Sequence, residues 1–384
     1  MSRVLHRTGA IPPVAVRGEG IWLHTADGRA IIDASGGAAV AALGHGNRRV
    51  AEAIARQAST MAYAHTGTFS NQPAEDLAEL LLADEPGGLT RAWFCSSGSE
   101  GNEAAIKLAR QYFLEIGQPG RVRTIARRQS YHGTTLGALA AGGNMMRREY
   151  YEPILSKAHS LVSPCFPYRF RHDGETDAAY LERLSDELEA EFQRLGPETV
   201  IAFLAEPVVG ATTGCVAAIP GYFRRVREIC DRHGALLILD EVMCGMGRTG
   251  TMHAWEQEGI SPDIQVIAKG SKLLAEIGYL VKAQLRLIDF AFRYGGDEFV
   301  VLLPQTSKDS ALVVAKRLQD GFRASSFCRE EGLNLNVRAS IGLATYPHDA
   351  KEAHDIIRQA DAMMYMVKNS TRDNIGIAQR GVMK

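Results

Sequence analysis

Several short stretches of the chain place chemically able side chains directly after apolar runs. Ser97-Gly98-Ser99-Glu100 opens a helical pattern that continues with good helix formers through Gln111. The free backbone N–H groups and hydroxyls of such a start can hold a phosphate, although the same residues can equally serve only to cap the helix. Tyr131-His132-Gly133 sets an aromatic ring beside a permissive glycine, which suits either a flat ligand ring or a packed turn. Asp240 closes the apolar run Ala235–Leu239, where a carboxylate needs a partner. A ring N–H would serve, and so would a helix N-terminus or an ion pair. Lys269 closes the run Ile264–Ala268. A lysine desolvated there sheds its charge more readily and becomes a nucleophilic amine, unless its stem carries the head back to water. Further on, Arg293-Tyr294-Gly295-Gly296-Asp297-Glu298-Phe299 sets a glycine turn between two strand-like runs. Its glycines would let the backbone approach a ligand closely, and Asp297 and Glu298 offer hard oxygens to magnesium.

The elements that must position these groups follow from the hydrophobic pattern. Residues 14–33 alternate around Asp27-Gly28 as a hairpin does, and a helical pattern begins near Asn47. Ala92–Cys95 is expected as a short strand. Val200–Ala205 precedes Glu206-Pro207, a helix is expected over Tyr222–Asp231, and Ala235–Leu239 and Ile264–Ala268 read as further strands. Apolar strands of about five residues alternating with helices indicate an α/β domain whose mainly parallel sheet is covered on both faces. Polar residues just past the strand ends then meet in the crevice at the carboxyl edge, where such sheets bind ligands.

After Gly270 the pattern changes to a smaller α+β unit. Ser271–Leu285 reads as a helix, and Leu287–Tyr294 and Glu298–Leu303 as the two strands of a hairpin. A helix over Lys308–Ala324 capped by Ser307, a strand within Leu335–Thr345, a helix over Ala353–Asn369 and a strand at Ile375–Ala378 complete it. The expected domains are therefore 1–269 and 270–384. Ile264–Ala268 is apolar and short enough to serve as a central strand of either domain, but it cannot serve both.

Composition narrows the function classes. The 43 basic and 44 acidic residues leave a net charge of −1, with no basic stripe of the kind that binds nucleic acid. Six cysteines stand without paired spacing, as reduced intracellular thiols do. The first twenty residues lack an apolar leader, and no run reaches the roughly 18 apolar residues of a membrane helix. A cytoplasmic protein, with neither nucleic acid nor membrane as partner, is the expectation.

Taken together, the motifs of residues 10–269 resemble the class III pyridoxal-phosphate-dependent aminotransferases, which have the fold-type I architecture. The resemblance is carried by Trp93 to Ala104, Tyr131-His132-Gly133, Glu206-Pro207-Val208, Leu239-Asp240-Glu241-Val242 and Ala268-Lys269-Gly270, with Asp33 to Gly46 similar to that family's N-terminal segment. It implies that Lys269 binds the aldehyde of pyridoxal 5'-phosphate and later moves the proton at the substrate α-carbon. Asp240 would keep the pyridine nitrogen protonated, and Gly98 and Ser99, assisted by Ser97, would bind the phosphate. Tyr131 would stack on one ring face and Val242 on the other, with Glu206 beside the ring hydroxyl. The implied reaction passes an amino group from an amine or amino acid to a 2-oxo acid in a homodimer. In that family a further strand, a threonine reaching the partner's phosphate and a C-terminal small domain follow the lysine. None is recognisable after Gly270, so weakened or absent turnover is expected.

Residues 270–384, with the similarity starting at about Gly270-Ser271, resemble part of the GGDEF family of diguanylate cyclases. The signature at 293–299, the continuing strand Val300–Pro304, Ala339-Ser340-Ile341-Gly342 and Ala360-Asp361-Ala362 with Tyr365 and Lys368 stand in family order. Gly295 and Gly296 would lie against nucleotide, Asp297 and Glu298 would bind magnesium, and Lys368 would reach phosphates. Arg286 and Asp289 match the family's product-binding RxxD site, which implies GTP or cyclic di-GMP as ligands. The family's first strand, with its metal-binding aspartate, and the helix after it are not recognisable, so no cyclase activity is expected. Three readings stand at this level: a pyridoxal phosphate enzyme, a nucleotide-sensing module, or a fusion without a selected function.

Overall fold

The computed structural model describes residues 3–6, 9–34, 36–41, 43–268, 280–281, 284–286, 288–295, 298–326, 337–350, 352–370 and 373–378. Residues 1–53 and 271–384 group as one compact unit and residues 54–270 as the other. Each is described by itself.

The N-terminal hairpin is a three-stranded antiparallel sheet, with β1 at Ala15–Glu19, β2 at Trp22–Thr25 and β3 at Ala30–Ile32. Asp27-Gly28 makes the expected turn between β2 and β3, where Trp22 pairs with Ile32 and His24 with Ala30. Gly28 adopts φ +85°, a conformation that costs a glycine little. Helix α1 follows at Arg48–Thr60.

Unit 54–270 is built on one parallel sheet. After α2 (Gln72–Leu82) and α3 (Gly98–Glu115) come β4 (Arg123–Arg127), α4 (Leu136–Ala141), β5 (His159–Val162), α5 (Asp177–Leu195), β6 (Val200–Ala205), α6 (Tyr222–His233), β7 (Leu236–Glu241) and β8 (Ile264–Ile267). The strand order is β8-β7-β6-β4-β5, every pair parallel. Strand β7 alternates as a doubly covered strand must: Leu237 and Leu239 enter one core and Ile238 the other. On the first face Tyr180, Leu184, Leu188 and Phe192 of α5 and Phe223, Val226 and Cys230 of α6 recur at helical spacing and bury against Phe203 and Leu237. On the second, Ala105, Ala109 and Phe113 of α3 cover Ala202, Leu204, Ile238 and Val266. Thr176 caps α5 by accepting from Ala179 N, and Gly234 at φ +60° ends α6.

Two expectations need correction here. Ala92–Cys95 is not a strand: among the described residues it has no strand beside it, and Trp93 is 68% exposed. A strand is stable only when its backbone groups are paired, whatever its side chains favour. Ile264–Ile267 pairs with β7 and, among the described residues, with no strand of the other unit, which counts against a strand serving both domains.

The C-terminal part of the other unit carries the expected hairpin, β9 (Phe290–Gly295) against β10 (Glu298–Leu302), with Phe290 opposite Leu302 and Gly295 opposite Glu298. Helix α7 spans Lys308–Ala324 with Ser307 as its cap, accepting from Ser310 N. Strands β11 (Ile341–Leu343) and β12 (Ile375–Ile377) pair in parallel, and α8 (Ala353–Ser370) connects them. Most of Ser271–Leu285 lies outside the described residues.

Candidate active site

The carboxyl edge of the sheet gathers the groups singled out above. Asp240 and Glu241 end β7, Glu206 follows β6, Tyr131 and His132 lie on the loop after β4, and Lys269 stands two positions after the last residue of β8. Lys269 itself lies outside the described residues.

Helix α3 starts at this edge. Ser97, extended at φ −156°, accepts from Glu100 N at 3.2 Å, while Glu100 Oε2 takes the Ser96 N–H at 2.8 Å. The Ser97 hydroxyl is thus engaged as a cap. Ser99 Oγ accepts from Thr134 N at 3.1 Å, which ties the loop after β4 to the helix. That loop needs glycine: Gly133 adopts φ +136°, and a Cβ there would stand 2.8 Å from the Ser99 backbone Cα. Gly98 is similarly close to Val242, whose Cγ2 would be 2.9 Å from an added Cβ. Gly133→Ala is expected to lower stability by about 1–3 kcal/mol through backbone strain and overpacking. Thermal denaturation measures it, and an unchanged melt would mean that the loop opens freely from α3.

Asp240, 4% exposed, is surrounded by donors. Its Oδ2 lies 2.8 Å from both His132 Nδ1 and Asn102 Nδ2, and its Oδ1 accepts from Val242 N at 3.1 Å. Glu206 is buried beside this cluster, with Oε2 accepting from Tyr131 N at 3.1 Å. Burial lifts its carboxyl from 4.5 to about 7, against the pull of His132. Arg127 is also buried; its guanidinium lies 5.6 Å from the Tyr222 ring centroid and 5.5 Å from that of Phe223, and it donates to the Glu206 carbonyl. Glu241 faces elsewhere. It accepts from Ala254 N, Trp255 N and Gln265 Nε2, each at 2.9 Å, and burial lifts its carboxyl to about 7 as well.

The Glu206 shift has a defined sign. Between about pH 4.5 and 7 the folded chain holds a proton that the unfolded chain has released, so stability falls as pH rises through that window and levels off above it. The uncharged Glu206→Gln variant lacks this slope. It should match wild type near pH 4.5 and exceed it by roughly 3 kcal/mol at pH 8, at about 1.4 kcal/mol per unit. Denaturant titrations at the two values check it; equal stability differences at both would contradict it.

Sequence reading missed three members of this cluster: Asn102, His132 and Arg127. The first two sit inside recognised motifs, one helical turn after Gly98 and directly after Tyr131. Their spacing was visible, but their partner 138 or 108 positions away was not.

The remaining site residues are in the C-terminal part. Arg286 and Asp289 close on each other, with Nη2 to Oδ1 at 2.8 Å and Nε to Oδ2 at 3.1 Å. Hydrogen bonding to Arg286 holds the Asp289 carboxyl below its usual range, and the reciprocal bond raises the guanidinium. Gly295 ends β9 and Glu298 begins β10; Gly296 and Asp297 lie outside the described residues, and Lys368 is on α8. Among the described residues no group of three or more His, Cys, Asp or Glu side chains could hold a metal ion, and no helix is long and apolar enough to cross a membrane.

Comparison with known proteins agrees with this geometry. The class-III aminotransferase family model matches residues 5–286, and the model for the diguanylate cyclase GGDEF domain matches residues 267–374. An aminotransferase of Schizosaccharomyces pombe is 53% identical over 258 residues, 67% of this chain and 56% of that protein. The taurine–pyruvate aminotransferase of Rhodobacter capsulatus is 38% identical over 262 residues, 67% of this chain and 55% of its own. Among solved structures, the pyridoxal-phosphate-bound amine transaminase from an uncultivated Pseudomonas species superposes with a TM-score of 0.66 at 34% identity, covering 72% of this chain and 63% of that one. The omega transaminase of Pseudomonas jessenii in complex with PMP gives 0.65 at 33% identity, over 69% and 58%. The chain spans about half the length of the curated relatives it matches. Its sheet is that of a fold-type I pyridoxal phosphate enzyme's large domain, and the chain belongs to the class-III aminotransferases, with a GGDEF domain fused at its C-terminal side.

Proposed function

We propose that this protein binds pyridoxal 5'-phosphate and transfers an amino group between an amine or amino acid and a 2-oxo acid. The observation that carries the reading is Asp240, a buried carboxylate met only by hydrogen-bond donors at the carboxyl edge of the sheet. The residues present fit the cofactor. The bare backbone of Gly98 and Gly133 lets the start of α3 close on Val242 and on the loop after β4, where an added Cβ would meet Val242 or Ser99, and buried His132 Nε2 and Asn102 Oδ1 have no partner of their own in the cluster. When bound, pyridoxal phosphate supplies an electron sink for the bonds of the substrate α-carbon.

The chain's own residues would divide the remaining work. Gly98 and Ser99 would offer N–H groups of the α3 start to the phosphate, where the helix dipole favours negative charge. Asp240 would hold the proton on the ring nitrogen, Tyr131 and Val242 would flank the ring, and Glu206 would stand beside its hydroxyl. Lys269 would anchor the cofactor and then carry a proton on Nζ to and from the substrate α-carbon. Titration with pyridoxal phosphate should produce a visible absorption band, and incubation with an amine donor and pyruvate should yield alanine. Absence of the band refutes the reading; a band without alanine limits the protein to cofactor binding.

Assembly as a homodimer is part of the proposal. Trp93, Leu108 and Tyr112 are exposed on unit 54–270, and apolar surface of this kind is normally covered. Analytical ultracentrifugation tests it. A cytoplasmic location is consistent with the free thiols Cys95, Cys165, Cys215, Cys230 and Cys244. We further propose that the GGDEF domain lacks cyclase activity; formation of cyclic di-GMP from GTP and magnesium would overturn this. A second reading, nucleotide sensing, rests on Arg286, half exposed and paired with Asp289. Calorimetry with cyclic di-GMP decides it: heat abolished by Arg286→Ala supports it, and no heat removes it.

A further inference from the structure

Glu206 is gripped at both ends by one segment of chain. Its carboxyl oxygen Oε2 accepts from Tyr131 N at 3.1 Å, and its carbonyl accepts from the side chain of Arg127. Glu206 is the first residue past β6, where regular pairing stops fixing the backbone. Pro207 keeps it extended but does not engage its carbonyl. The neighbouring strand β4 supplies the missing restraint. Arg127 ends β4 and shares a face with Ile125 two positions earlier, so its side chain enters the layer filled by α6. There the guanidinium lies 5.6 Å from the Tyr222 ring centroid and 5.5 Å from that of Phe223, wholly buried and without room to swing. Between the two grips the chain is pinned as well. Ser130 Oγ donates to Arg127 O at 2.8 Å and accepts from Gly143 N at 3.0 Å, and an added Cβ at Gly143 would collide with Arg127 O. Arg127 and Tyr131 are therefore fixed relative to each other, and so are the two atoms of Glu206 that they hold.

We propose that Arg127 is a positioning residue for Glu206: by holding the Glu206 carbonyl it fixes the backbone from which that carboxyl reaches the cofactor's ring hydroxyl, and it acts on the cofactor through Glu206. With the carbonyl released, the side chain keeps only its bond to Tyr131 N and can pivot about it. This inference rests on the pyridoxal phosphate reading, which sets Glu206 beside the ring hydroxyl.

A double-mutant cycle separates this role from a general effect on packing. Arg127→Met removes the donor but leaves an unbranched side chain whose sulfur suits the two rings. Glu206→Ala removes the group through which Arg127 is held to act. Affinity is read by pyridoxal phosphate titration followed by visible absorption, with melting of the cofactor-free proteins as control. Arg127→Met should bind about 10-fold more weakly than wild type, the size expected for one hydrogen bond from a charged donor. Added to Glu206→Ala, the same change should alter affinity by less than about twofold. Wild-type affinity in Arg127→Met overturns the inference. So does a full tenfold loss in the Glu206→Ala background, because Arg127 would then act by another route. Should Arg127→Met not fold, Arg127→Gln takes its place in the cycle with the same two expectations, since its amide is too short to reach that carbonyl. Failure of wild type itself to bind overturns the cofactor reading, and this inference falls with it; the wild-type titration alone distinguishes that case.

Discussion

Asp240→Ala is expected to lose both cofactor affinity and a large part of the stability of unit 54–270. The substitution removes the shared acceptor of His132 Nδ1, Asn102 Nδ2 and Val242 N, and all three lie at a carboxylate only 4% exposed. Asn102 Nδ2 keeps His132 O and Gly98 O, whereas His132 Nδ1 and Val242 N are left unmet; at about 1–3 kcal/mol for each buried donor the loss is on the order of 4 kcal/mol against a total stability of about 5–15 kcal/mol for a typical domain. Chemical denaturation should show the midpoint fall steeply, and titration should show no visible band at cofactor concentrations that saturate wild type. Asp240→Asn keeps the volume and one acceptor, so it should lose less stability but the same ring-nitrogen interaction. Wild-type stability in Asp240→Ala would mean that water replaces the carboxylate and that the cluster does not hold the loop to the sheet.

Lys269→Ala is expected to abolish transamination while leaving the fold in place. Loss of a positioned proton carrier alone lowers such rates by roughly 10²–10⁴-fold, and loss of the anchoring amine adds to this. The visible band of the cofactor-loaded protein should disappear, while circular dichroism should match wild type. Retained band and activity would assign the chemistry to another amine and remove Lys269 from the mechanism.

Much of this was open to local reading. Lys308–Ala324 begins where Ser307 can cap it, and Val200–Ala205 is a strand with the limits its apolar run suggests. Periodicity, capping and turn chemistry act over a few residues, so they survive in one dimension. Where a partner was needed, local reading failed. Ala92–Cys95 has strand-like residues but no neighbouring strand among the described residues. Arg123–Arg127 is bounded by arginines and His159–Val162 begins with a histidine, yet both pair within the sheet. Arg127 is buried there because the Tyr222 and Phe223 rings and the Glu206 carbonyl receive its guanidinium.

The sequence by itself determined which residues stand at the strand ends, because an apolar run followed by a polar side chain marks where a buried strand meets solvent. It thereby determined the candidates Glu206, Asp240 and Lys269 and the α/β class, whereas Ser99 and Tyr131 were marked only by the glycine-bearing motifs that hold them. Only the tertiary structure decided that Asn102 and His132 converge on Asp240. A hydrogen bond has a reach of about 3 Å, and no local pattern encodes which distant residue packing will bring that close.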